Sequence, residues 1–165
     1  MAQTVRALFP GINPQAVTVL PTKASFTALL VAGKFVFNQT VSIGKLNDNT
    51  TAIIAGVEFS ANIDQLDFSD ALDPSANGGF FRLDLLAGGN GHQVNLQPFL
   101  FSAFGQGGGF MTEYSATAAT DQQEEMFLRL RGSLIQTPRI LASGKTSITI
   151  TTTLNQYNIM GGYNV

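Results

Sequence analysis

Between Ile63 and Ser75 the chain carries an aspartate at every third position, Asp64, Asp67, Asp70 and Asp73. Carboxylates three residues apart share one face of a helical turn, so the run could supply oxygen ligands to a divalent cation or a general acid beside its base. It departs from a calcium loop, which takes ligands at alternate positions with a glycine at the sixth and a glutamate at the twelfth. No glycine interrupts it, and Leu66, Phe68 and Leu72 punctuate it, with Leu66 and Phe68 expected to anchor the segment beneath. A connection capping one end of a domain accounts for the run more simply, with Asp64 or Asp70 as a helix N-cap and Asp73-Pro74 as the terminator. No catalytic, cofactor-binding or metal-ligating residue is assigned on this pattern.

Other chemistry is sparser. His92 is the sole histidine and cysteine is absent, so a zinc site there would need three converging carboxylates. Its position after Gly88-Gly89-Asn90-Gly91 predicts an exposed turn. Gly105-Gln106-Gly107-Gly108-Gly109 lacks the Lys-Ser/Thr of a phosphate loop and runs into a strand pattern, which predicts a hairpin rather than a nucleotide cradle. Glu58, Asp84 and Glu113 fall on expected strands, and a glycosidase would need two of them to converge. Arg129, Arg131, Arg139 and Lys145 form the one local enrichment of positive charge, partly offset by Glu124 and Glu125. Alternation puts Arg129 and Arg131 on one face with Phe127, which suits solvent or a subunit contact.

The elements that must position these residues are strands. Ser147 to Leu154 alternates Ile148, Ile150, Thr152 and Leu154 with Ser147, Thr149, Thr151 and Thr153, and Glu125 to Arg131 alternates Met126, Leu128 and Leu130 with Phe127, Arg129 and Arg131. Further strands are expected at Ala16 to Leu20, Phe26 to Phe37 with a bend at Ala32-Gly33, Thr40 to Leu46, Thr51 to Ala61, Phe80 to Leu86, Gln93 to Phe104 and Phe110 to Ala118. Short helices are expected at Asp64 to Leu72 and Ala119 to Glu125. About nine strands divided by Gly- and Asn-rich turns predict an all-β single-domain sandwich, with a jelly roll as the leading topology. Without cysteine or tryptophan the immunoglobulin-type disulfide and its packing partner cannot form.

Charged residues make up 12% of the 165 and the formal net charge is -2. Little repulsion therefore opposes self-association, and no overall positive field draws nucleic acid. No run approaches the roughly 18 apolar residues of a membrane span. The first residues lack the apolar run of a secretory signal, so residues 1–15 are expected to form an extended arm, 16–154 the sandwich and 155–165 a tail. Both ends are low in charge and contain aromatics, which favours docking on a neighbouring subunit.

The apolar arm up to Pro14, the strand series with Gly/Asn turns from Val17 to Leu154, the absence of cysteine and the apolar-polar tail together resemble the single jelly-roll virion proteins of tailless icosahedral phages. The resemblance implies a non-enzymatic structural protein, without cofactor, assembled in the host cytoplasm into a capsid shell, vertex or spike. Its implied partners are copies of itself and other virion proteins. The alternative is a lectin-like carbohydrate-binding sandwich using Asn47, Asp48, Asn90 and His92, with Tyr114 or a phenylalanine as the stacking surface.

Overall fold

The computed structural model describes residues 17–45, 50–88, 94–103, 108–115 and 125–160. The strands are β1 (Val17–Val31), β2 (Lys34–Lys45), β3 (Thr50–Ala61), β4 (Phe81–Gly88), β5 (Val94–Phe101), β6 (Gly108–Ser115), β7 (Glu125–Ile135) and β8 (Ser147–Met160). Two short helices join them, α1 (Gln65–Ala71) between β3 and β4 and α2 (Pro138–Ser143) between β7 and β8.

Eight antiparallel strands follow the order β5-β4-β7-β2-β1-β8-β3-β6. The first strand pairs with the last, the second with the seventh, the third with the sixth and the fourth with the fifth. A long hairpin of four strand pairs has been rolled up, and rolling adds the lateral pairings β3–β8 and β4–β7. That is the jelly roll, with β1-β8-β3-β6 in one layer and β2-β7-β4-β5 in the other. Strand β1 joins the layers: it pairs with β8 from Val17 to Leu29, while its ladder with β2 is confined to Leu30 and Val31.

Alternation supplies the core. Phe26 and Ala28 of β1, Phe35 and Phe37 of β2, Phe59 of β3, Leu83 and Leu85 of β4, Leu128 and Leu130 of β7, and Ile148 and Ile150 of β8 are buried in one cluster. Phenylalanines join the layers: Phe59 of β3 stacks on Phe101 of β5 with ring centroids 3.8 Å apart. Phe101 meets Phe81 at 5.5 Å and Phe81 meets Phe37 edge-on at 5.4 Å. Helix α1 closes one end by inserting Phe68, 5.3 Å from Phe81. A methyl group at Gly132 of β7 would sit 2.5 Å from the Phe81 ring, so only glycine admits the ring there.

The expected strand positions hold, but several divisions merge. The described part of the expected strand Ala16 to Leu20, from Val17, and the first half of Phe26 to Phe37 form one strand, β1, through Pro21. Proline is accepted because β1 pairs only with β8 at that level. The bend at Ala32-Gly33 is a two-residue hairpin turn with φ of 51° and 77°, the type I′ geometry that matches strand twist. The strand starting at Ser147 runs past Leu154 to Met160, paired on both sides. Helix α2 was not expected at all, yet its signals are present: Thr137 caps it, Pro138 opens it and Gly144 closes it at φ 71°. The expected helix from Ala119 falls largely outside the described residues, and Glu125 begins β7.

Candidate functional site

The aspartates of the three-residue spacing go to separate tasks. Asp64 caps α1, its Oδ1 accepting the Asp67 N–H at 2.8 Å. Asp67 stands in the first turn, with Arg139 Nε of α2 3.1 Å from its Oδ1, while Asp64 Oδ2 lies 3.8 Å from the same guanidinium. Asp70 is exposed. Asp73 is buried: its Oδ2 accepts Lys34 Nζ at 2.8 Å, and its Oδ1 accepts the Ser75 hydroxyl at 2.6 Å and the Ser75 N–H at 3.0 Å. The Lys34 ammonium, followed by the Ser75 donors, holds its carboxyl well below the usual carboxylate range. The run thus fastens α1 to α2 and to the start of β2, and among the described residues no three Asp, Glu or His side chains gather as a metal group.

The carboxylates considered as a hydrolytic set separate as well. Glu58 is exposed on β3 between buried Val57 and Phe59, so it projects from the outer face of the β1-β8-β3-β6 layer. Asp84 alternates with buried Leu83 and Leu85 on β4 and projects from the outer face of the opposite layer. Glu58 and Asp84 therefore cannot meet on one substrate. The side chains of Glu113 and Tyr114, together with Asn47, Asp48, Asn90, His92, Gly105 to Gly107 and residues 1–16, lie outside the described residues.

What the structure does assemble is a cationic cluster around Asp84. Register sets Asp84 opposite Arg129 and Arg82 opposite Arg131 across β4 and β7, and alternation keeps all four on one face. Asp84 Oδ1 accepts Arg82 Nε at 2.8 Å. Its Oδ2 accepts Arg131 Nη2 at 2.8 Å, Arg129 Nη2 at 3.1 Å and Arg129 Nε at 3.3 Å. The carboxylate is fully enclosed, whereas each arginine remains about one third exposed. Two arginines directly opposite on neighbouring strands repel one another, and Asp84 is the counter-charge that holds them together. The shared face of Arg129 and Arg131 was legible in the alternation. Their joining to Arg82 and Asp84 was not, because it depends on the register of strands far apart in sequence.

A second surface lies at the corner where β1 passes between the layers. Val31 pairs with Lys34, and Lys34 with Ile135, which places Val31 and Ile135 in one outward row. Leu29 and Val36 flank that row, and Leu29, Val31, Val36 and Ile135 expose 68%, 69%, 60% and 38% of their surface. Nearby, where β1 leaves β2, the Gln39 amide replaces a strand partner: its Nε2 donates to the Thr27 carbonyl at 2.6 Å and its Oε1 accepts the Thr27 N–H at 3.1 Å.

No protein-family model and no curated protein matches the chain. Among solved structures, one described as infectious bursal disease virus Gx strain aligns at 9% identity over 87% of this chain and 42% of the matched chain, with a TM-score of 0.19. The Gt strain of that virus aligns at 8% identity over 87% and 40%, with a TM-score of 0.20. A family two carbohydrate esterase from Cellvibrio japonicus aligns at 11% identity over 87% and 35%, with a TM-score of 0.17. The chain spans less than half the length of each of these chains, and at such scores the matches transfer neither activity nor assembly.

Proposed function

We propose that this chain is a non-enzymatic structural protein of a virion, a single jelly roll that associates with copies of itself and with other virion proteins to build a shell, vertex or spike. The observation that carries this reading is the exposed apolar corner of Leu29, Val31, Val36 and Ile135 on the outer surface of the roll. The corner sits at a tight hairpin between strands that are well anchored elsewhere, so it is a rigid surface that can be buried without reordering the chain. Low overall charge leaves little to oppose contact between copies. The jelly roll contributes as well, since virion subunits reuse this architecture, although many unrelated proteins share it.

Size-exclusion chromatography with light scattering over a range of protein and salt concentrations tests the proposal, with negative-stain images of the heaviest fraction. Closed oligomers or particles are expected, together with resistance to added salt because the corner is apolar. A monomer at every concentration would overturn it.

A further inference from the structure

We propose that Arg82, Arg129 and Arg131 form a binding site for a dianionic oxyanion of the phosphate or sulfate class, on the outer face of the β5-β4-β7-β2 layer. This inference is independent of the assembly role.

Charge is the first argument. Among the described residues three guanidinium groups surround one carboxylate, a surplus of two positive charges in a chain whose net charge is -2. One arginine would neutralise Asp84. The other two add repulsion, most of all between Arg82 and Arg131 directly opposite each other, and a bound dianion relieves it.

Donor number is the second. Each guanidinium carries five N–H groups, and of these Arg82 Nε, Arg129 Nε and Nη2, and Arg131 Nη2 are seen donating to Asp84. The Nε of Arg131 is shut away from solvent and has no hydrogen-bond acceptor among the described residues. A buried donor without an acceptor is costly unless something supplies one.

Placement is the third. The arginines rise from paired strands and are drawn to one point by Asp84, so little side-chain freedom remains to be lost when an anion binds. Their strand partners among the described residues are uncharged: Leu100 is paired beside Arg82, Asn38 beside Arg131 and Thr40 beside Arg129. Glu125, on the same face of β7, lies beyond Phe127 with its carboxylate accepting the Ser42 hydroxyl. Four residue rises along the strand separate it from Arg129, roughly 13 Å, beyond the reach of an exposed charge in physiological salt.

The test uses the full chain at dilute concentration. Thermal midpoints are compared in inorganic phosphate, sulfate and chloride at matched ionic strength, and the arginine Nε–Hε NMR signals are followed during a phosphate titration. Phosphate and sulfate are expected to raise the midpoint saturably over chloride, by about 3–5 °C at ten times the dissociation constant. The Arg82, Arg129 and Arg131 signals should move together while that of Arg139 stays. Phenyl phosphate, a dianionic monoester, should act like phosphate if the site is open at the surface, and the singly charged dimethyl phosphate should bind more weakly. Arg82→Gln leaves Asp84 two arginines and should abolish most of the response. Equal effects of chloride and phosphate, or signals that shift at Arg139 alone, would overturn the proposal, and these arms need no variant to fold.

Discussion

Two single residues carry consequences that can be measured. Asp73 joins the end of α1 to β2 through Lys34 and has its carboxyl lowered by that ammonium and by Ser75. The unfolded chain protonates it near the ordinary value of about 4, while the folded chain holds it ionised to lower pH. Its contribution is therefore complete above about pH 4 and is lost as the pH falls from there toward the lowered value. Asp73→Asn is expected to be less stable than wild type at pH 7, with the difference shrinking between pH 4 and pH 2. Urea unfolding across that range measures it, and a difference independent of pH would refute the assignment. At Gly132 a methyl group would enter the ring of Phe81, which is itself held by Phe37, Phe68 and Phe101. Gly132→Ala is expected to cost about 2–3 kcal/mol by overpacking, read from the shift in urea midpoint.

Individual elements show where the sequence could be read and where it could not. Ile148 to Leu154 and Met126 to Leu130 turn the same faces inward in the sequence pattern and in the structure, because period-two burial is a local property. The turn at Ala32-Gly33 was legible from its glycine. Its demand on Ala32 was not, since a positive φ of 51° at alanine is visible only in the structure. Left-handed backbone costs such a residue about 1 kcal/mol, so Ala32→Asn, suited to a type I′ turn, is expected to stabilise the protein by roughly half that or more. A lowered thermal midpoint would show that the turn adopts another form. Helix α1 was legible from its cap and from Phe68, which is buried, whereas Leu66, also expected as an anchor, is 57% exposed, and the separation of the aspartates among Arg139, Lys34 and Ser75 depends on contacts from distant elements. The cluster at Asp84 escaped for the same reason: a carboxylate in a strand pattern suggests a catalytic acid until the register shows arginines opposite it.

For the whole molecule, composition and turn spacing pointed to a sandwich, and nested strand pairing resolved it as a jelly roll. Strand order could not be derived from alternation, because each strand's pattern specifies its inward face and not its neighbours. Among the described residues the roll presents a cationic cluster on β4 and β7 and an apolar corner where β1 meets β2. The central claim is that the corner joins copies of the chain. Sedimentation velocity on wild type and on Val36→Asp, at the same concentrations, tests it most directly. Val36 is 60% exposed, so its replacement should leave the fold intact. Oligomers of the wild type and a monomeric, folded variant are the expected result. A wild type that sediments as a monomer throughout, or a variant that assembles as the wild type does, would contradict the claim.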